Sequence, residues 1–239
     1  MPTNPRNAAY QTLLRIEKEH SYADILIDRE LTTGQLTGPD RGLYTELVYG
    51  VLRRQGNLDH IMSQFSSQPP AKLERSVLLL LRLGLYQMFC LDRIPVSAAV
   101  NETVKLAKEL APRSAGFINA VLRSSDRGRE QLRYPDRERE PVAYLAAVHS
   151  HPAWLVRLWL DQLGLAEAEA LARAMAQPAP LTIRGQHPEN NGRGPAGEVD
   201  QRGDQRQPLP LRPPWPDPDR SCLAGRLGQF SGRALHRAG

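Results

Sequence analysis

Five arginines, Arg6, Arg53, Arg54, Arg113 and Arg123, stand at or near the ends of segments with helical periodicity. A guanidinium in that position can reach a phosphate oxygen, so residue type and placement together point to contact with an RNA backbone. The alternative for each is a solvated surface charge or a partner of the helix dipole. A net charge of +5 and a pI near 9.5, carried mostly by arginine, suit an anionic partner. Lys105 and Lys108 share a helix face. Because Glu102 and Glu109 lie three and four residues from Lys105 and can compensate it, both lysines are left out of the candidate set.

Other residues that could do chemistry have plainer readings. His149 and His151 are two residues apart, but no Cys, Asp or third His stands nearby at ligand spacing, so no metal site is expected. Trp154 and Trp159 could stack bases, yet on an apolar helix stripe they read as anchors of interdomain packing. Asn101 and Asn119 read either as RNA-contacting amides or, preferred, as amides satisfying buried backbone groups between helices. Cys90 lies in an apolar segment and reads as an inert buried thiol; Cys222 lies in so different a context that neither a disulfide framework nor a metal cluster is expected.

The elements that must position these residues are helical. Asn4-Pro5 is a cap followed by proline at the first helical position, and Ala9, Leu13 and Ile16 carry that helix to about His20. Further helices are expected over Tyr22 to Leu31, and from Pro39 through Leu43, Leu47 and Val51. Leu58, Ile61, Met62 and Phe65 match the spacing of a helix with one buried face. From Pro70 to Met88 the sequence is Leu-rich around its circumference, the mark of a central helix. Ser97 reads as a hydroxyl N-cap before Val100, Val104, Ala107 and Leu110, and Phe117, Ala120 and Val121 give a second stripe after Pro112. Ser124 to Glu140 reads as a linker or a solvated loop. Helices over Pro141 to His149, Pro152 to Leu163 and Ala166 to Ala176 complete an all-α pattern, and Leu181 to Arg184 has the first strand character. The longest apolar run, Val77 to Leu81, is far short of a membrane span, and residues 1 to 20 lack the pattern of a secretory signal, so a cytoplasmic protein with no membrane partner is expected.

Tyr49-Gly-Val-Leu-Arg-Arg54, the stretch Ser97 to Leu110 and Ala115-Gly-Phe-Ile-Asn-Ala-Val-Leu-Arg123 together resemble the NusB-like domain at the amino end of the RsmB/Fmu (Sun) family, which methylates cytosine in 16S ribosomal RNA. The resemblance runs from about Pro5 to Arg184. It implies an RNA-binding domain over residues 5–125 and a helical connector over 126–184 that would lead into a methyltransferase domain. Family members hold S-adenosylmethionine on a Gly-rich loop after a strand and use two cysteines, in Pro-Cys and Thr-Cys contexts, for attack and release. No such loop or pair occurs here, so no cofactor and no methyl transfer are expected of this chain. The implied function is the RNA-binding module of a 16S rRNA (cytosine-C5) methyltransferase, with RNA as partner. The alternatives are a free-standing NusB-type protein in transcription antitermination or a helical protein-protein scaffold.

Residues 185–239 differ in character. Nine glycines and eight prolines among 55 residues, with no isoleucine and no lysine, leave too little apolar surface to offset ordering entropy, so a disordered tail is expected. It also reads as a reading-frame shift. Gly185-Gln-His-Pro-Glu-Asn-Asn191 must be encoded GGN CAR CAY CCN GAR AAY AAY, which from its second base reads GNC ARC AYC CNG ARA AYA. Those triplets permit Val-Asn-Thr-Leu-Lys-Thr, and a segment resembling Val-Asn-Thr-Leu-Lys follows Leu-Thr-Ile-Arg in the family. Sequencing the locus is expected to show a shifted frame that stays open past the Arg184 codon and encodes a Gly-rich loop; early stop codons in that frame would refute the shift.

Overall fold

The computed structural model describes residues 4–177. The expected strand at Leu181 to Arg184, the tail over 185–239, Cys222 and the last part of the connector lie outside them. The described residues form nine α-helices: α1 (Pro5–Glu19), α2 (Ala23–Thr33), α3 (Pro39–Arg53), α4 (Gln55–Phe65), α5 (Arg75–Cys90), α6 (Val96–Leu110), α7 (Ala115–Arg127), α8 (Pro141–His149) and α9 (Ala153–Met175). The fold is all-α.

Local chemistry sets the first boundary where the sequence places it. Asn4 Oδ1 accepts from the Arg6 backbone N–H at 2.9 Å, Pro5 occupies the first turn, and His20 closes α1 in the left-handed conformation. Other starts differ from the expectation. Residues 70–72 form a 3-10 turn and Leu73 and Glu74 are extended, so the central helix begins at Arg75 rather than Pro70. Pro95 is the residue at the N-cap of α6, which places Ser97 inside the first turn and not at the cap. In α7 the buried stripe is Ala115, Ile118, Val121, Leu122 and Ser125, while Ala120 is exposed and Phe117 half-buried. The register of α7 is fixed by what it packs against, not by its apolar residues alone. Gly164, at φ +75°, breaks α9 near the expected helix boundary.

α5 is the axis. Thirteen of its residues are buried, and α1, α3, α4, α6 and α7 all pack against it. Two close approaches depend on missing side chains: a Cβ at Gly50 would run into the Tyr86 ring, and one at Gly84 would meet Leu122 Cδ2 at 2.8 Å. Within this apolar helix Arg82 is buried. It donates from Nε and Nη2 to the two oxygens of Asp59 at 2.8 Å each, and from Nη1 to Glu17 at 2.8 Å, joining α4 and α1 to α5.

The segment after α7 is solvated over residues 136–140, as its charge suggests, but it is docked before them. α7 runs to Arg127 with Ser125 fully buried, and Arg129 lies over the Phe89 ring at 4.8 Å while donating to the Met88 carbonyl. Farther on, Tyr134 stacks on His60, and its hydroxyl accepts from Asn57 Nδ2 at 2.9 Å. One ring stack, a hydrogen bond to a tyrosine hydroxyl and a cation over a ring hold a chain whose composition looks like a loop. Asn57 also donates to the Ala147 carbonyl and, through its backbone N–H, to Ser150 Oγ, which docks α8 on α4. Leu145, Val156 and Ala168 then form a second, smaller apolar cluster between α8 and α9.

Replacing Arg82 with Met should cost about 2 to 3 kcal/mol, because it strands two carboxylates. That is less than the ~3–5 of a fully buried pair, since the Glu17 and Asp59 side chains retain 24% and 28% exposure. Urea unfolding should show the midpoint fall accordingly; a midpoint unchanged from the parent would remove Arg82 as the tie among these helices.

Candidate nucleic-acid interface

α6 and α7 are antiparallel neighbours joined by the 3-10 turn Pro112–Ser114, and each buries one face against α5. Their remaining faces form an open groove of about 630 Å³. From α6 it is lined by Ala98, Asn101, Glu102, Val104, Lys105 and Lys108; from α7 by Ala115, Gly116, Asn119 and Arg123. The spacing of three and four explains the set, since such residues share one helix face. The groove follows α6 for about 15 Å, ten residues at helical rise.

Its polar groups are only partly engaged. Lys105 Nζ donates to Glu102 Oε1 at 2.6 Å, and Arg123 Nε to Asn119 Oδ1 at 3.0 Å. Among the described residues no carboxylate lies within ion-pair distance of Lys108, Arg113 or Arg123. A second recess of about 440 Å³, lined by Phe65, Ser67, Phe117, Ala120, Ser124 and Arg127, lies on the other side of Arg123, which also borders it.

The structure disperses the five arginines. Arg123 lines the groove and Arg113 is exposed in the turn that joins its walls. Arg53 is half-exposed at the end of α3. Arg54 is only 7% exposed, enclosed where α3 runs into α4, so it does not offer its guanidinium to a phosphate. Arg6 is half-buried, with Nε donating to Gln87 Oε1 at 2.6 Å; burial lowers its pKa from the ordinary value, while Glu102 and Asp40 oppose the shift. In place of Arg6 and Arg54 the geometry brings in Lys105, Lys108, Asn101 and Asn119. The two asparagines also depart from the expected role, since Asn101 is exposed and Asn119 bonds a side chain in the groove instead of a buried backbone group.

A family model described as the NusB family matches residues 3–127. The chain belongs to the NusB family. It is 38% identical over 183 residues to the Bacillus subtilis protein named "Probable ribosomal RNA small subunit methyltransferase B", covering 76% of this chain and 40% of that one. It is 33% identical over 186 residues to the Vibrio cholerae ribosomal RNA small subunit methyltransferase B, with 77% and 41% covered. This NusB-family chain thus spans about 40% of the length of the curated relatives it matches.

Outside the NusB match, the two histidines do not converge. His151 Nε2 bonds the Ala172 carbonyl at 2.9 Å, and its ring packs edge-on against Trp159. Trp159 borders the second apolar cluster, whereas Trp154 is 67% exposed and lies outside that cluster. No group of three His, Cys, Asp or Glu side chains suited to a metal occurs among the described residues, and none of their helices is long and apolar enough to cross a membrane. His149 is 5% exposed with Nε2 unpartnered, and burial, then Arg54 and Arg173, push its pKa down to about 4 from 6.5.

His149 gives a signed expectation. The unfolded chain protonates it near pH 6.5 and the folded chain only near 4, so stability is fully present above 6.5 and is lost as pH falls between those values. Over that window the loss is about 3 kcal/mol, at 1.36 per pKa unit. Urea midpoints at pH 7.5 and 4.5 should drop further for the parent than for His149→Leu. Equal drops would mean that His149 titrates as an ordinary histidine.

Proposed function

We propose that this chain is the RNA-binding module of a small-subunit ribosomal RNA cytosine methyltransferase, and that RNA lies in the α6–α7 groove. The observation that carries the reading is a groove with Lys108 and Arg123 unpaired by carboxylates of the described residues, built within the NusB-family match of a chain whose relatives are named ribosomal RNA small subunit methyltransferase B. Lys105, Lys108 and Arg123 hold successive phosphates, and Arg113 extends the positive edge around the turn. Arg53 is an accessory contact, and Arg6 acts through Gln87 as a strut. Residues 5–125 form the RNA-binding domain and the helices after it the connector, acting in the cytoplasm.

The family resemblance also implies S-adenosylmethionine, and the described residues do not fit it. They contain no strand, and so no strand, Gly-rich loop and helix to cradle that cofactor. No step of methyl transfer is assigned to residues 4–177; the chemistry belongs to the part of the relatives that this match does not span.

The combined variant Lys108→Glu, Arg113→Glu, Arg123→Glu should bind an rRNA fragment more weakly across a salt series. The slope of log affinity against log salt should become shallower by about 2, near 0.7 for each phosphate that a single strand no longer has neutralised. Filter binding measures this, and far-UV circular dichroism should show the helices intact. Unchanged affinity in a folded variant would exclude the groove as the RNA site.

A further inference from the structure

A carboxylate in a groove for phosphates calls for a reason. Glu102 lines the same wall as Lys105 and Lys108, its side chain is 31% exposed, and its charge reaches Arg6. An approaching phosphate is repelled by it, so its presence weakens backbone binding unless the ligand brings a hydrogen-bond donor. Only Oε1 is engaged, by Lys105 Nζ, which leaves Oε2 to accept.

The neighbours suit a base edge. Asn119 has its oxygen taken by Arg123 Nε, which leaves its amide N–H groups to donate. Asn101 is exposed on the opposite wall with both amide functions available. Gly116 adds no side chain, and a Cβ built there would meet nothing within 4 Å, so no side chain closes this end of the groove. We propose that Glu102 is a specificity residue that accepts from the exocyclic amino group of an unpaired base, so that the groove favours cytosine over uracil. A carboxylate accepting from cytosine N4 is an established pairing of side chain and base edge. Uracil instead offers one imino N–H flanked by two carbonyl oxygens that repel Glu102. The proposal rests on the RNA reading above and adds which base the groove selects.

The test uses the full chain with labelled hexacytidylate and hexauridylate, read by fluorescence anisotropy. The parent should favour the cytidine oligomer about tenfold, the effect of one well-placed base contact. Glu102→Gln should bring the two affinities together, lowering that for cytidine and raising that for uridine. Lys105→Met should lower both by the same factor and keep the ratio. Circular dichroism should show the helices intact in both variants, since Lys105 is 69% exposed and a pair of this kind adds little to stability. Equal affinity of the parent for both oligomers, or a Glu102→Gln variant that binds both more tightly by one factor, overturns the base contact and leaves the RNA reading standing. A parent that binds neither oligomer nor an rRNA fragment overturns the RNA reading and the base contact with it.

Discussion

The Arg82 guanidinium sits in the most deeply buried helix among the described residues, and much of the rest follows from the need to satisfy it there. A charge at that depth is tolerated only when it is paired and fully hydrogen-bonded. Asp59 takes it from two sides and Glu17 from a third. The Gln55 side-chain oxygen, in the amide orientation that gives both its polar atoms partners, accepts from Nη1 and Nη2 at 2.8 and 2.9 Å. Apolar packing alone would let α1 and α4 slide along α5 at modest cost. A forked donor with fixed acceptors does not, because a shift of one turn would leave a buried ion without partners.

With α5 fixed, α6 and α7 have little freedom. Gly84 lets Leu122 and Thr103 come against the α5 backbone, and Thr103 satisfies its own buried hydroxyl on the Ala99 carbonyl. The two helices therefore turn determined faces inward. What remains outward includes the small residues Ala98 and Gly116, flanked by longer polar ones, and small residues beside long ones leave a groove. The groove is a consequence of how these helices meet the core.

The helices are legible because one-sided burial leaves a period in the sequence. Leu58, Ile61 and Met62 are fully buried, as their spacing requires, and the Leu-rich segment is the central helix. Boundaries are less legible where two signals compete. Ser97 carries the chemistry of a cap, but Pro95 already supplies the extended residue before the helix, so α6 starts earlier. The segment after α7 misleads for a different reason: its docking depends on Tyr134 and Arg129 meeting particular partners, His60, Asn57 and Phe89, that are distant in sequence.

The site is less legible than the fold, and the difference is physical. Periodicity identifies residues that leave water, whereas a binding groove is made from residues that stay in it. Of the five arginines, Arg123 lines the groove and Arg113 stands in the turn that joins its walls, because a helix end near the surface says nothing of which way a long side chain turns; Arg54 turns inward and Arg6 toward Gln87. The pairing of Lys105 with Glu102, which the sequence suggests, is real. Compensation between neighbours on one helix does not remove either group from a site, since both line the same wall and a ligand meets them together. A signal is present in the spacing 98, 101, 105, 108 on one helix and 116, 119, 123 on the next. It becomes informative only when the turn at Pro112 is known to bring those two faces together, which makes the groove a property of the pair and of neither helix alone.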